Sequence, residues 1–308
     1  DSFNTMIRTV LGDIEPDVVT GAYLHEHLII DSSIVQNQMP HIFLDSVNDA
    51  ILELLPCRDI GVNLFVDCMP GESGRNIEKL KEISRAAGVH IIAATGMHNP
   101  KYYESNSIFL KADSETFAQI FIKEITLGNC GIIKIHTLGQ EPNSLERELF
   151  AGAVRAQELT GAPILTHCEE GMGALQQISL LDSLGADLSR VVLSHTDKHP
   201  DRTYHREILA SGVNVEYDQS IRQLNISNKD SLSLTIEMCR AGYDSQIMLG
   251  TDGARRTLWN SLGGSPGLVA LGRDWRILLE KADLDSGIIK SLFRTNPQKF
   301  LSCELKFS

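Results

Sequence analysis

Two histidines, His25 and His27, stand one residue apart in the otherwise apolar stretch "GAYLHEHLIID" (residues 21–31). On a helix, positions i and i+2 diverge, whereas on a strand they share a face. The flanking residues suit a strand, so both rings are expected to face one space. That pattern differs from the helical H-E-x-x-H zinc motif, whose ligands are four apart. Alone it carries little: 10 histidines in 308 residues give about 0.3 such pairs by chance. Two hydrogen-bonded histidines at a strand end would also explain it.

Four further groups share one feature, a polar residue where an apolar run ends. They are Lys134 in "CGIIKIHTLG", His167 in "PILTHCEEG", His195 in "VVLSHTDKHPD" and Asp252 in "MLGTDGARR". Each has an ordinary explanation by itself. His167 and His195 could be satisfied core histidines, Lys134 a snorkelling lysine, and Asp252 a turn cap before Gly253. Together, four imidazoles and a carboxylate are a good ligand set for zinc or a similar divalent ion. Lys134 is the odd member, because an ammonium has no lone pair. Beside a divalent ion at about 4 Å and an effective dielectric of about 20, its charge would cost roughly 8 kcal/mol. It must be distant, neutral or chemically converted. Burial lowers a lysine pKa, and a neutral amine can add CO₂ to give a carbamate able to bridge two metals.

These groups can meet only if the fold gathers them. Eight apolar runs recur along the chain, at 22–29, 62–69, 89–96, 130–137, 162–169, 190–197, 212–219 and 246–253. Segments with helical spacing lie between them, such as "SGRNIEKLKEISRAAG" and "SLERELFAGAVRAQELTG", several closing on a glycine. Continuous apolar strands alternating with helices imply a parallel sheet covered on both faces. Eight such units predict an α/β fold, a (β/α)8 TIM barrel, whose chemistry sits at the C-terminal ends of the strands. An open doubly wound sheet is the alternative, but no glycine-rich phosphate fingerprint follows the first strand. No linker or change of composition divides the chain, so residues 1–308 are expected to form one barrel domain with a final helix near "SGIIKSLFRTNPQKFLS".

Composition narrows the partners. The chain is 42% hydrophobic and 22% charged, with a net charge of −12. An acidic balance disfavours nucleic acid and anionic membrane as partners. No apolar run approaches a membrane span, and no signal peptide is visible at the start. Six scattered cysteines without a C-x-x-C pair fit a reducing, cytoplasmic setting. The expected partner is a small-molecule substrate.

An H-x-H on the first strand, a lysine on the fourth, histidines on the fifth and sixth and an aspartate on the eighth resemble the amidohydrolase superfamily. The words "LHEHLIID", "GVNLFVDCMP", "IIKI", "PILTHCEEG", "SHTDKHPD", "LGTDGARRTLWNSLGGSPGL" and "NPQKF" look like its phosphotriesterase-like branch, in order and across nearly the whole chain. The "DGARR" and "GGSPG" words are most similar to the sugar-lactonase side. The resemblance implies two divalent ions, zinc first, with manganese or cobalt as alternatives. His25, His27 and Asp252 would hold the more buried ion and His167 and His195 the other, with Lys134, as a CO₂-derived carbamate, bridging them. A homodimer is also implied. One departure is His136, two residues after Lys134 on the same face, where relatives are expected to carry a small residue.

The expected function follows from that site. Two metals lower the pKa of a bridging water and so supply hydroxide at neutral pH. Attack would open a small lactone, with Asp252 taking the proton and delivering it to the leaving oxygen. Arg255 and Arg256 could be solvated loop residues or, with Arg222, could recognise an anionic group such as a phosphate. Tyr102, after the third strand, could shape the pocket. Cys168 faces away from His167 on the same strand and is discounted as a nucleophile. The alternatives are a phosphotriesterase, another ester or amide hydrolase, and a barrel that binds metal without catalysis.

Overall fold

The structure of the protein, a computed structural model, describes residues 5–304 and 306. Its centre is one eight-stranded parallel sheet: β1 (Ala22–Glu26), β2 (Leu64–Asp67), β3 (His90–Gly96), β4 (Cys130–Thr137), β5 (Ile164–Cys168), β6 (Val191–Ser194), β7 (Asn214–Tyr217) and β8 (Ile247–Leu249). Strands pair in sequence order. Each of the eight apolar runs contains one of them. Beyond β8 the chain closes on β1, where Asp252 N donates to His25 O at 2.9 Å. A side chain at Gly250 would meet His25 N at 2.7 Å, so only glycine permits this closure. The result is the expected (β/α)8 barrel.

Helices follow the strands around the outside: α1 (Val47–Asp59), α2 (Ile77–Ala87), α3 (Ser114–Thr126), α4 (Ser144–Thr160), α5 (Ala174–Ser183), α6 (Arg202–Ala210), α7 (Asp230–Met238) and α8 (Arg276–Lys281). Five of these eight start on a side-chain cap, and on α4 Asn143 and Glu146 form a reciprocal capping box. The predicted final helix is present as the helical stretches Ser286–Lys290 and Asn296–Leu301 with a helical link between them.

Alternation along the strands divides the core in two. Phe65, Ile91, Ile133, Ile164, Leu193 and Val215 face the helices. Leu24, Val66, Ile92, Ile132, Leu165, Val192 and Met248 fill the barrel interior. A small antiparallel sheet of Thr5–Thr9, Gly12–Ile14 and Cys303–Glu304 lies outside the barrel, and its Ile7 packs with the interior residues. Among the described residues no helix is long and apolar enough to cross a membrane. All six cysteines are free and buried.

Candidate metal centre

Above the apolar interior, at the C-terminal ends of the strands, the inward positions turn polar. Lys134 and His136 continue the inward face of Ile132 on β4, His167 that of Leu165 on β5, and Glu216 and Asp218 that of Asn214 on β7. Four ligand candidates need local backbone devices. The pairing of β1 with β2 slips between Tyr23 and Glu26. Such a bulge re-aims the residues beyond it, here turning His25 and His27 inward although Tyr23 faces the helices. His195 and Asp252 adopt left-handed backbone, with φ of 66° and 44°. Non-glycine residues rarely do so, and such strain persists only where surroundings enforce it.

The enforcing contacts are specific. His205 of α6 donates from Nε2 to Thr196 O and His199 O, both at 2.9 Å, pinning the turn after His195. Trp259 Nε1 donates to Gly253 O at 2.7 Å, and buried Glu53 of α1 accepts from Ser261 N and Leu268 N, at 2.9 and 3.0 Å. These hold the loop that carries Asp252. Glu26 accepts from Thr251 N at 2.8 Å and from the Thr251 hydroxyl.

The side chains then converge. Asp252 Oδ1 lies 3.5 Å from His25 Nε2 and 3.4 Å from His27 Nε2, and its Oδ2 lies 3.8 Å from His195 Nδ1. The His25 and His195 rings are 4.8 Å apart, and those of His195 and His167 are 4.6 Å apart. Asp218 Oδ2 accepts from His195 N at 2.9 Å. Lys134 is buried, and the one hydrogen bond of its side chain among the described residues is a long 3.4 Å contact to Cys68 O. His167 Nε2 meets Glu169 Oε2 at 2.9 Å.

The donors fit a divalent cation. Two donors about 2.1 Å from a tetrahedral ion stand about 3.4 Å apart, which matches the spacing of Asp252 with each histidine of the pair. Among the described residues, eleven buried side-chain nitrogen and oxygen atoms lack a well-aligned hydrogen bond, and five are imidazole nitrogens at this mouth: His27 Nδ1, His98 Nδ1, His136 Nε2, His167 Nδ1 and His195 Nδ1, the last of which faces Asp218 Oδ2 at 2.9 Å. Buried polar atoms are ordinarily satisfied, so their concentration here marks a place built for a partner. Two triads, His25–His27–Asp252 and His25–His195–Asp218, have ligand atoms within 4.8 Å of one another.

Electrostatics agree. Burial pushes the His25 imidazole well below its ordinary pKa and His167 down to about 3. Burial alone would raise Asp252, but His195, His27 and Arg222 outweigh it and hold its carboxyl well below the usual range. Neutral imidazoles beside an ionised carboxylate are the protonation states a metal requires. Burial, then the charge of Asp218, pushes Glu216 well above the carboxylate range.

The sequence profile of the phosphotriesterase family matches residues 5–301. The chain belongs to the phosphotriesterase family. It is 25% identical over 309 residues to an aryldialkylphosphatase of Saccharolobus solfataricus, covering 94% of this chain and 97% of the relative. It is 26% identical over 329 residues to a phospho-furanose lactonase of Mycoplasmopsis synoviae, covering 98% and 93%. The solved structure of an amidohydrolase from Mycoplasma synoviae superposes with a TM-score of 0.93 at 25% identity, covering 99% and 94%. The family is one of binuclear metal enzymes, and this chain is a hydrolase acting on ester bonds.

In this phosphotriesterase-family chain the remaining sequence-predicted residues separate. Arg222 reaches the mouth: its Nη1 donates to Asp252 O at 2.6 Å and Thr251 O at 3.2 Å, and lies 3.9 Å from Asp252 Oδ2. Arg256 is half-buried and donates to Phe43 O at 2.9 Å, whereas Arg255 is exposed. Tyr102 is buried and stacks on His98, with centroids 5.0 Å apart. Burial, then Asp252 and Glu169, pushes the Tyr102 phenol up to about 12. His136 turns aside, its Nδ1 meeting Met97 O at 3.1 Å, and burial lowers it to about 4. Cys168 is buried among the helix-facing residues, which agrees with discounting it. The sequence reading did not single out His98, Glu169, Glu216 or Asp218. All four stand in or just after predicted strands, where an isolated charge or imidazole in "TGMHNP", "THCEEG" and "NVEYDQ" was the available signal.

Proposed function

We propose that the chain opens a small lactone, a sugar lactone bearing a phosphate or another anionic group, and that two divalent ions are needed. In this assignment His25, His27 and Asp252 hold one ion and His167 and His195 the other. Lys134 bridges them as a carbamate. Zinc is the first candidate, with manganese and cobalt next. Support for the carbamate is the fully buried Lys134 side chain, which has no carboxylate partner among the described residues and only the long contact to Cys68 O. Two such ions supply an activated water at neutral pH and polarise an ester carbonyl.

The chain's own residues do the rest. Asp252, ionised and central, takes the proton of the attacking water and passes it to the ring oxygen as the ester C–O bond breaks, leaving a hydroxy acid. Tyr102 and His98 wall the mouth on the β3 side. Six free, buried cysteines suit a reducing compartment. The observation that carries an anionic substrate is Arg222. Its Nη1 is tied to the backbone beside Asp252, which leaves Nη2 and Nε as donors for a ligand. Arg255 and Arg256 are assigned a lesser part in holding that anion. The lactonase relative supports a phosphorylated sugar lactone, and the aryldialkylphosphatase relative supports the second assignment, a phosphotriester.

The deciding experiment is a panel of lactones, with and without phosphate, set against a dialkyl aryl phosphate. A phosphorylated lactone is expected to be the best substrate. Arg222→Ala should lower kcat/KM on it by roughly 10- to 150-fold, the value of about 1.5–3 kcal/mol for a charge-assisted contact, and leave its uncharged analogue nearly unchanged. Equal losses on both, or a faster triester, would overturn the substrate assignment.

A further inference from the structure

Glu216 sits on β7 between Val215 and Tyr217, whose side chains face the helices, so its own points into the barrel. It is fully buried, and its Oε1 pairs with His25 Nδ1 while Oε2 has no partner among the described residues. The two residues are 191 apart in sequence, on strands that do not pair, because the chain from β8 passes between them. That chain carries Gly250 at the crossing, where a side chain would meet His25 Cβ at 2.9 Å. The pair thus spans a strand position kept bare.

A neutral imidazole carries one proton, and the group on one nitrogen decides which nitrogen keeps its lone pair. On the free side of the ring, His25 Nε2 lies 3.5 Å from Asp252 Oδ1. His27 has no such partner among the described residues, where its Nδ1 is buried and unpaired. The two histidines of the H-x-H pair are therefore not equivalent. We infer that Glu216 is a positioning residue whose carboxyl oxygen Oε1 accepts a hydrogen bond from His25 Nδ1–H, fixes that tautomer and aims the Nε2 lone pair at the space shared with Asp252. The inference rests on His25 being a metal ligand, as proposed above. Outer partners of this kind hold ligand rings in orientation, and losing one weakens metal binding by about 10- to 100-fold.

The test uses the zinc-loaded protein with ¹⁵N-labelled histidine, together with competition against a chelator. In the unmodified protein the His25 proton is expected on Nδ1, with zinc on Nε2. Glu216→Leu should weaken retention of the ion by about 10- to 100-fold, and Glu216→Gln, which keeps an oxygen acceptor, should fall between. A merely space-filling role for Glu216 would leave retention unchanged in both variants. Zinc on His25 Nδ1, or full retention by a folded Glu216→Leu protein, would overturn the inference. If the leucine variant does not fold, the tautomer in the unmodified protein decides. His25→Ala separates the two levels: if it keeps both ions, His25 is not a ligand; if it loses one while Glu216→Leu keeps both, only the role of Glu216 is wrong.

Discussion

The two halves of the barrel interior are built from the same strands and obey opposite rules. In the lower half Leu24, Val66, Ile132, Leu165, Val192 and Met248 pack on one another, and nothing further is needed to satisfy them. A few residues later along the same strands, Lys134, His167, Glu216, Asp252 and the His25–His27 pair are equally buried or nearly so, yet the protein leaves several of their atoms unpaired. Burial therefore does not distinguish core from site here. Satisfaction does: the lower half is complete as folded, whereas the upper half leaves buried donors without a partner among the described residues, the pattern the proposed metal centre explains. Mutations in the two halves should accordingly fail in different ways.

The largest effect is expected in the upper half. Asp252→Asn keeps the shape but removes the charge and the proton acceptor. Activity should fall by about 10²- to 10⁴-fold, with only a modest drop in the melting temperature of the metal-free protein, because His195, His27 and Arg222 favour the lost charge while its burial opposes it. A steep loss of metal-free stability with activity retained would erase the contrast. The lower half should answer the other way. Leu165→Ala opens a cavity and should cost about 2–5 kcal/mol of stability, measured by denaturant unfolding, while kcat in the folded fraction stays near its original value.

His205 sharpens the comparison, because it is a buried histidine whose needs the protein meets. Tyr217 OH lies 2.9 Å from Nδ1, and two carbonyls face Nε2. Burial lowers its pKa from 6.5 to about 4. The folded state thus favours the neutral ring, while the unfolded chain binds a proton from about pH 6.5 downward. Stability from this group is full above pH 6.5 and is lost as pH falls towards 4, by roughly 3 kcal/mol at most. Urea titrations across that window should show the decline, and His205→Gln should flatten it. A slope that is unchanged in the variant would mean that His205 is not held neutral. The smallest expected change in stability is that of Lys134→Met. It should empty the centre of metal, yet make the metal-free protein more stable by about 1–3 kcal/mol, because a buried polar side chain with one long contact becomes apolar. Loss of stability instead would show that Lys134 is a satisfied core residue.

Much of this was legible in the sequence, for a physical reason. Strands buried on both faces must be continuous apolar runs, so a lone charge at the end of such a run stands out. That is why Lys134, His167, His195 and Asp252 stand out in the sequence as candidates, and why all eight runs contain strands. Glu216 and Asp218 carried the same mark in "NVEYDQ", but their role depends on what lies across the barrel. Simple alternation from Tyr23 would send His25 outward; the slip in β1 that turns it inward is a property of pairing with β2. The left-handed turns at His195 and Asp252 depend on His205, Trp259 and Glu53, all distant in sequence. Loop arginines were least legible. Arg256 is taken by Phe43 O and Arg222 by the backbone at Asp252, and the fate of each guanidinium is set by the path of a neighbouring loop.

The difference between the halves reduces to one question, whether the upper half holds metal. Purified protein, stripped with a chelator and then dialysed against zinc, manganese or cobalt, should be assayed for metal by elemental analysis alongside its activity on lactones. About two ions per chain should return together with activity, because the ligands form one shared cluster, and His25→Ala and His27→Ala should not recover the full complement. A protein that binds no divalent metal, or that keeps its full activity when stripped, would contradict the assignment of this mouth as a metal centre.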